Sequence, residues 1–531
     1  MPDTPTSLPP RPHANGSWLF VLLLIGGALG RLWLACSNFL NADEALHYLL
    51  SVQPTLARTY QATLSTIHPP LLIVLLHYWR FLGTSEWILR LPSVIAGTAF
   101  CWIMFLWLDR VTGRSVALIG LALFCFSPPL VCLSAEIRQY ALLLLFAAAS
   151  LYWLDLGIEQ DSPVLMGISA LALYLALLTN YASFLFALVM GLYGLARLLS
   201  ARPSRMVVIK WTAGQLGGLA LAIFLLTSHY SRMQARNAPQ AIFSGYLRSS
   251  TFHPGQDHIL SFLVKSNIRF FHYLFSQGAV GAVGLLLFIL GIAWLWRDRA
   301  PVAERLPGSR QLALLFALPL LLNCAVALLG IFPYGGTRHN SYLSIFAVPA
   351  IAVGLGRWRP ARARILAIAV AAVLLLCNVF PSPADEYIQR RNQKRTLMAA
   401  AIRALRGQPG GTTILTDDEG GLLLSYYLCP SRVVQIEWPY VPYLSSTCGN
   451  LRVIAMGPSV WMFNADNFPG ALRLARSSQD AGSMGIVLFR AGSSVDKEAA
   501  FLAALPNFGC SRPQSYGQNI LICPLEEVPQ K

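Results

Sequence analysis

The sequence predicts a mainly α membrane protein with a small α/β domain at its C-terminal end. Of the 531 residues, 55% are hydrophobic and 12% are charged. The mean hydropathy of +0.54 lies far outside the range of soluble globular proteins. Apolar runs able to span ~30 Å of hydrocarbon recur up to residue 380, after which the composition becomes that of a soluble domain.

Eleven apolar runs predict transmembrane helices. The first is interpreted as a retained span because no A-x-A-like cleavage site accompanies it. This gives a cytoplasmic tail at 1–16, a membrane domain at 17–382 and an extracytoplasmic α/β domain at 383–531. The predicted spans are 17–36, 87–108, 115–133, 140–156, 163–180, 182–199, 207–227, 278–296, 311–332, 342–356 and 363–380.

A further apolar run, residues 68–83, is short and carries His77, Trp79 and Arg80. If this run does not cross, the basic clusters between the spans all fall on one side, which the positive-inside rule makes cytoplasmic. We therefore interpret residues 68–83 as an interfacial helix on the outer surface. These basic clusters lie at 109–114, 197–210, 297–310 and 357–364.

The formal net charge of +16 is explained by these clusters, so the sequence predicts no nucleic-acid partner. The outer side receives most of the unusual polar residues, and any active site is expected there. The outer segments are 37–86, 134–138, a long loop of about 228–276, 333–341 and the chain after 381.

The C-terminal domain shows helical periodicity at 384–407 and four short apolar strands. It contains Cys429, Cys448, Cys510 and Cys523, which predict two disulfides and an oxidising compartment. Three connectivities are open, and proximity favours 429–448 with 510–523. The predicted strands are 412–418, 432–438, 451–457 and 484–490.

Two adjacent acids follow the first span. Asp43 and Glu44 lie in the stretch SNFLNADEALHYLLS at the predicted outer membrane edge, where an acid pair needs solvent or a charged partner. The pair also fits a helix N-terminus, with Asn41 or Asp43 as the cap. Both interpretations stay open, and Asp43 and Glu44 are the candidate catalytic residues.

Two more outer segments carry candidate binding residues. His68 precedes two prolines that open the interfacial helix. Glu136, Arg138 and Tyr140 lie at the outer mouth of the fourth span, where a carboxylate and a guanidinium pair with each other or bind a charged group. The alternative for this segment is a membrane-interface anchor.

Arg338 and His339 follow two glycines at the outer end of the tenth span. Positive-inside statistics disfavour an outer arginine, so Arg338 indicates an anionic ligand such as phosphate. Sugar transfer from a polyprenyl-phosphate carrier fits this set of residues. Arg138 and Arg338 would balance the leaving phosphate, Asp43 would accept the proton of the acceptor hydroxyl, and the anomeric centre would invert.

Over residues 17–380 the chain resembles the GT-C glycosyltransferases, specifically the protein O-mannosyltransferase and aminoarabinose transferase superfamily. The order and spacing of short motifs carry this resemblance. They are DE at Asp43-Glu44, HPPL at 68–71, LRLPSVIAG at 89–97, AEIRQY at 135–140, TNY at 179–181 and TRHNSYL at 337–343.

The resemblance implies a GT-C fold with about eleven transmembrane helices and juxtamembrane helices, a catalytic Asp43 and a polyprenyl-phosphate-linked sugar donor. Tyr181 of the TNY motif joins the substrate-binding candidates, although members often have His where this chain has Asn180. The acceptor, an envelope lipid, glycan or protein, stays open. The expected location is the inner membrane, with the C-terminal domain in the periplasm.

A transporter or lipid-linked glycan flippase is the competing class, and a scaffold for envelope polysaccharide assembly is a third. A transporter would place charged or broken-helix sites near mid-membrane in two related halves, and the sequence shows no such repeat. No obligatory metal is expected, with a divalent cation on Asp43, Glu44 and Glu136 as the alternative. The acidic segment 416–421 is interpreted as an exposed turn.

Overall fold

The computed structural model describes residues 17–64, 66, 68–234, 247–299, 305–380, 394–429, 443–456, 470, 473–475, 484–489, 503, 507–517 and 520–527. The predicted tail 1–16, the domain boundary near residue 382 and the predicted strand 432–438 lie outside these residues.

The predicted mainly α membrane fold is confirmed, since each predicted span overlaps a helix. Nine described helices are long and apolar enough to cross a membrane, whereas predicted spans 115–133 and 163–180 contain shorter ones. In chain order the helices are α1 Ser17–Ser37, α2 Ala42–Ser51, α3 Leu56–Thr63, α4 Leu71–Trp79, α5 Glu86–Thr112, α6 Arg114–Phe126, α7 Pro128–Leu133, α8 Tyr140–Glu159, α9 Pro163–Leu177, α10 Ser183–Ala201, α11 Arg205–Leu225, α12 Ser231–Gln234, α13 Ile259–Phe275, α14 Gly278–Arg297, α15 Ser309–Leu328, α16 Ser344–Trp358, α17 Ala363–Val379, α18 Arg395–Arg406 and α19 Asp418–Tyr427.

The segment after the first span folds into three helices, α2 to α4, that pack on one another. His77 of α4 joins them, because its Nδ1 lies 2.9 Å from both the Ser51 carbonyl and the Thr59 hydroxyl. The predicted helix in 68–83 is therefore observed as α4 and a 3-10 turn at Arg80–Leu82. The second long outer segment was wrongly predicted as a loop throughout, because α13 is a 17-residue helix within it.

The predicted span 115–133 is kinked between α6 and α7. Pro128 and Pro129 have no N–H to donate to the carbonyls of Phe124 and Cys125 one turn earlier. Arg31 of α1 donates to both carbonyls instead, at 3.0 and 2.8 Å. The kink redirects the chain so that α7 ends in the outer turn 134–139, which carries the predicted site residues.

A buried polar network closes the opposite end of the helical bundle. Asp155 accepts hydrogen bonds from Trp107, Tyr193 and Arg197 at 2.9 to 3.0 Å. Arg197 also donates to the carbonyl of Arg305 at 2.6 Å. Because these bonds join α5, α8 and α10 with the segment between α14 and α15, the network ties the helices together at this end.

In the described part of the C-terminal region the strands are β1 Thr413–Thr416, β2 Tyr443–Cys448, β3 Leu451–Met456, β4 Met484–Phe489, β5 Phe508–Cys510, β6 Gln514–Tyr516 and β7 Ile520–Glu527. They form a seven-stranded mixed sheet in the order β2-β3-β1-β4-β7-β5, with β6 beside β7. The central strands β3, β1 and β4 are parallel and the outer pairings are antiparallel. Both predicted disulfides, Cys429–Cys448 and Cys510–Cys523, are present.

The sheet region shares a hydrophobic core with the first outer segment. Leu40 and Leu49 belong to the same buried cluster as Ile402 and Leu424. Tyr427, at the end of α19, contacts this segment directly: its hydroxyl accepts the Leu40 N–H at 2.9 Å and donates to the Glu86 carboxylate. The C-terminal region therefore supports the outer segment that contains Asp43.

Candidate functional site

Asp43 lies in the first turn of α2, where the sequence caps the helix. Asn41 is the N-cap: its side chain accepts the Glu44 N–H at 2.9 Å, and the Glu44 carboxylate accepts the Asn41 N–H at 2.9 Å. This reciprocal capping box fixes the start of the helix. The capped N-terminus of α2 therefore accounts in part for the two adjacent acids. Asp43 and Glu44 differ in their other partners.

Two arginines from distant segments converge on Asp43. Arg138 Nη1, in the turn after α7, lies 2.7 Å from Asp43 Oδ2. Arg338 Nη2, at the start of the 3-10 helix Arg338–Leu343, lies 3.2 Å from the same oxygen. The structure therefore brings together three residues that the sequence placed on the outer face.

The turn before Arg338 depends on glycine. Gly335 has a φ of +150°, and a Cβ on Gly336 would lie 2.5 Å from the Arg269 carbonyl oxygen. A side chain at Gly336 would therefore clash with the backbone of α13. The two glycines let this turn pack closely enough to present Arg338 to Asp43.

Glu44 is engaged differently from its neighbour. Its side chain is 1% exposed and forms two 2.7 Å hydrogen bonds with Arg90 of α5. It also accepts the backbone N–H groups of Asn41 and Ile137, both at 2.9 Å. Each carboxylate oxygen thus accepts two hydrogen bonds, and this geometry favours a positioning role for Glu44 over the predicted catalytic one.

The ion pair of Glu44 and Arg90, called the clamp below, also reaches the end of the first span. The Arg90 guanidinium donates to the carbonyls of Ala35, Asn38 and Phe39 at 2.7 to 3.0 Å. Through Arg90 and Glu44, α1, α2, α5 and the turn containing Arg138 are held in one arrangement. Burial is the largest single influence on the pKa of Glu44 and raises it, but the charge and hydrogen bonds of Arg90 and the N–H groups of Asn41 and Ile137 together lower the pKa by more, so the net shift is downward.

Two neutral histidines line the site beside Asp43. His47 Nδ1 lies 2.5 Å from the Asp43 carbonyl oxygen, and the rings of His47 and His68 stack at 5.8 Å. Gln139 contacts the His68 ring at 3.1 Å. Burial and the charge of Arg138 lower the pKa of His47 to about 4 and hold the pKa of His68 well below its usual value.

The charged groups of the site form two separate sets. Glu44 pairs with Arg90, whereas Arg138 and Arg338 both bond to Asp43. The carboxylate of Glu136 is buried in the same turn as Arg138. Burial raises the pKa of Asp43. The charges of Arg138 and Arg338, with smaller contributions from His47 and His68, together lower this pKa by more, so the net shift is downward. Two guanidinium groups side by side are a set of donors suited to an anionic ligand.

Several buried polar atoms at the site have no partner within the described part of the chain. They are Arg138 Nε, the Gln139 side-chain oxygen and the Tyr140 hydroxyl, on three consecutive residues. Tyr140 also contacts the ring of His339 at 6.2 Å and the Arg138 guanidinium at 5.7 Å. Buried polar groups are normally hydrogen-bonded, so these atoms indicate a ligand surface.

The other predicted residues lie at different distances from this centre. Glu136 is buried in the same turn as Arg138, at 4% exposure. Tyr181 lies apart: its ring contacts in the described residues are with Phe184 and Tyr230, and its buried hydroxyl has no partner there. The structure therefore gives Tyr181 no contact with Asp43, and its substrate-binding role stays a prediction.

Two of the three carboxylates named as alternative cation ligands, Asp43 and Glu44, are bonded to arginines. No group of three or more His, Cys, Asp or Glu side chains with metal-binding geometry occurs among the described residues. Of the candidate ligands, Glu44 has both oxygens occupied and Asp43 is bonded to two arginines. A cation here would have to displace guanidinium groups of like charge.

The predicted acidic turn 416–421 is corrected in part. Asp417 is fully buried and caps α19, because its side chain accepts the Gly420 N–H at 2.8 Å. The segment is therefore a helix start and not an exposed turn.

Sequence reasoning missed Arg90, His47 and Tyr427. Arg90 had a detectable signal, because an arginine inside an apolar run needs a buried partner. The signal for His47 was its position one turn after Asp43 on the same helix face. Tyr427 had none, since its partners Glu86 and Leu40 lie hundreds of residues away in sequence.

Residues 67–229 match the model of the family described as dolichyl-phosphate-mannose-protein mannosyltransferase. This match confirms the predicted resemblance over that part of the chain. No curated protein matches the sequence.

Three solved structures are similar to this chain at low sequence identity. ArnT from Cupriavidus metallidurans bound to undecaprenyl phosphate is 12% identical, with a TM-score of 0.49 over 96% of this chain and 98% of that chain. The oligosaccharyltransferase of Archaeoglobus fulgidus in complex with Zn and sulfate is 12% identical, with a TM-score of 0.47 over 94% and 72%. The arabinofuranosyltransferase AftD from Mycobacteria is 15% identical, with a TM-score of 0.47 over 96% and 41%.

Proposed function

We propose that this protein is an inverting glycosyltransferase that moves a sugar from a polyprenyl-phosphate-linked donor to an envelope acceptor. The convergence of Arg138 and Arg338 on Asp43 carries the proposal. It joins an anion-binding pair to a carboxylate, which are the two groups that such a transfer needs. The family match at residues 67–229 supports the same class of reaction.

In the proposed reaction the donor phosphate binds Arg138 and Arg338 and the acceptor hydroxyl lies near Asp43. Asp43 accepts the hydroxyl proton as the acceptor oxygen attacks the anomeric carbon from the face opposite the phosphate. The bond from the anomeric carbon to the phosphate oxygen breaks, and its electron pair stays on the polyprenyl phosphate. The two guanidinium groups balance the charge that develops there, so no proton has to reach the leaving group.

The proposed placement is the bacterial inner membrane, with the site and the domain 383–531 in the periplasm. The lipid tail of the donor accounts for a catalyst embedded in a bilayer, and the two disulfides fit an oxidising compartment. The charges around Asp43 support a reaction without an obligatory metal. The sugar is left open, and the acceptor is an envelope lipid, glycan or protein.

The decisive experiment is mass spectrometry of envelope glycans and lipids from a strain lacking this protein. We expect one sugar to be missing from one acceptor, and the wild-type chain to restore it. Asp43→Asn should accumulate in the membrane without restoring the sugar. Asp257→Asn serves as the matched control, because Asp257 is an exposed acid whose ion pair and hydrogen bond in the described residues are with His253.

Purified protein in lipid nanodiscs tests the phosphate assignment separately. Arg338→Ala should weaken binding of polyprenyl phosphate by about tenfold or more, since a charge-assisted hydrogen bond contributes about 1.5–3 kcal/mol. Unchanged affinity would remove Arg338 from the phosphate site. Movement of a lipid-linked glycan across proteoliposomes, with no sugar transferred, would instead favour the flippase class.

A further inference from the structure

Aromatic rings from three segments meet at the outer end of α11, outside the site described above. Tyr181, in the turn after α9, contacts Tyr230 with ring centroids 5.7 Å apart. His229 contacts Tyr60 of α3 at 5.6 Å. Tyr60, Tyr181 and Tyr230 are half-buried, whereas His229 is only 1% exposed. We call these four residues the aromatic cluster.

A single turn of π-helix orients two members of the cluster. Residues Leu226–Tyr230 form this turn directly after α11, and such turns are frequent at functional sites. The Ser228 hydroxyl donates to the Phe224 carbonyl at 2.6 Å, a type of bond that bends helices. Within the turn His229 is buried, whereas Phe224, just before it, is 49% exposed. The imidazole therefore faces the protein and not the surface of the helical bundle.

Two buried polar atoms of the aromatic cluster have no hydrogen-bond partner within the described part of the chain. They are the Tyr181 hydroxyl and His229 Nε2. The other imidazole nitrogen, Nδ1, lies 2.9 Å from the Ser228 hydroxyl. A tyrosine of an ordinary membrane-interface belt would place its hydroxyl at the level of the lipid headgroups, but the hydroxyl of Tyr181 is buried. Since buried polar groups are normally hydrogen-bonded, the two atoms indicate a ligand.

The chemistry of the cluster is suited to a sugar ring. A sugar hydroxyl both donates and accepts, so it can pair with the Tyr181 hydroxyl and with either tautomer of His229. The apolar C–H groups of a sugar pack on the electron-rich faces of aromatic rings, and the half-buried rings of Tyr60 and Tyr230 provide such surfaces. Aromatic walls with a few polar groups that fix orientation are typical of small-molecule sites.

The aromatic cluster is connected to the reaction centre through the HPPL and TNY motifs. The Leu71 N–H donates to the Leu178 carbonyl at 3.0 Å, which fixes segment 68–71 beside the turn that contains the TNY motif. At the start of this segment the ring of His68 stacks on His47, one helical turn after Asp43. The cluster therefore adjoins the reaction centre on the side of the two histidines.

We propose that the aromatic cluster binds a sugar ring of the acceptor, with Tyr181 and His229 on its hydroxyl groups. This inference rests on the proposed function and narrows the acceptor to a molecule that already contains sugar, which is a glycan or a glycolipid. The acceptor is favoured over the donor because its hydroxyl must lie near Asp43. The arginines proposed for the donor phosphate come from other segments.

The test uses the full-length protein in nanodiscs. The acceptor is the envelope molecule that lacks a sugar in the deletion strain, isolated from that strain, and the donor is the polyprenyl-linked lipid fraction of the same strain at a fixed concentration. For Tyr181→Phe, which keeps the ring, we expect the acceptor concentration at half-maximal transfer to rise about fivefold, as for the loss of one neutral hydrogen bond. The maximal rate and the affinity for polyprenyl phosphate should stay unchanged. Tyr78→Phe is the matched control, because Tyr78 of α4 is 55% exposed, and it should alter none of these values.

Tyr60→Leu tests the ring instead of a hydroxyl, and a rise in the same acceptor concentration is expected. Weaker binding of the donor with unchanged use of the acceptor would overturn the assignment, and so would wild-type values in both folded variants. If the acceptor proves to be a protein without sugar, this inference fails while the proposed function stands.

A deletion strain that lacks no sugar would instead refute the proposed function. Native mass spectrometry of the protein incubated with the envelope extract of that strain then tests the cluster separately. The wild type should retain a sugar-containing molecule that Tyr181→Phe retains less well, and equal retention by both would overturn the site.

Discussion

Glu44→Gln tests the clamp that holds the outer segment. The substitution keeps the shape of the side chain but places an amide where Arg90 donates, so a buried guanidinium loses its counter-charge. Breaking a buried ion pair in this way costs about 3–5 kcal/mol. The replacement also disturbs the acceptors of the Asn41 and Ile137 N–H groups. We expect a marked fall in the thermal unfolding temperature in detergent.

A double-mutant cycle measures the interaction energy of Glu44 with Arg90 separately from the contacts that each residue makes with its surroundings. Glu44→Leu and Arg90→Met should each be strongly destabilising, and the double variant should cost less than their sum by about 1–3 kcal/mol. Glu159→Gln is the matched control, because the pair of Glu159 with Arg110 is about one-third exposed, and such pairs contribute less than about 1 kcal/mol. If Glu44→Gln unfolds at the wild-type temperature, the clamp has no structural role.

Three further perturbations address the support, the kink and the histidines. Tyr427→Phe removes the hydroxyl that joins the C-terminal region to the first outer segment. We expect the free energy of unfolding to fall by about 2 kcal/mol and sugar transfer to slow, while the affinity for polyprenyl phosphate stays unchanged. A wild-type rate of transfer would contradict this expectation. Arg31→Met leaves two buried carbonyls at the kink without donors. The free energy of unfolding should therefore fall by about 2–4 kcal/mol. An unchanged stability would mean that the guanidinium is not needed at the kink. Burial and Arg138 depress the pKa of His47 from 6.5 to about 4, so only the unfolded chain gains this proton as pH falls through that interval. Stability should therefore decrease below pH 6.5 by at most about 1.4 kcal/mol per pH unit, and His47→Gln should reduce the slope in a series of unfolding temperatures.

The membrane helices could be predicted because a bilayer requires long apolar runs, and such runs are visible without any tertiary information. The errors arose where another rule applied. The Pro128-Pro129 pair interrupts an apolar run that is long enough to span the membrane. The interruption is stable because Arg31 donates hydrogen bonds to the two carbonyls that the prolines leave without a donor. Helix α13 was missed because its exposed face contains Lys265 and Arg269, which shorten the apolar run below a membrane span.

Individual residues of the site could be predicted from sequence, because charged side chains are unusual at a membrane boundary. Asp43, Arg138 and Arg338 stood out individually because each is costly or disfavoured where it lies. Their meeting at one oxygen required the fold, since Arg338 is 295 positions away from Asp43. The partner of Glu44 was hidden inside a predicted span, and sequence position alone could not distinguish a buried clamp from a substrate contact.

Helix geometry explains how two adjacent acids come to have different environments. Successive residues of an α-helix point about 100° apart, so Glu44 and Asp43 cannot face the same neighbours. Glu44 faces the protein and is enclosed by Arg90, which also holds the end of the first span. Asp43 keeps 35% of its side chain exposed and meets arginines from two other segments. The fixed carboxylate of Glu44 thus sets the position of α2, and the more exposed carboxylate of Asp43 is the one that we propose as the base.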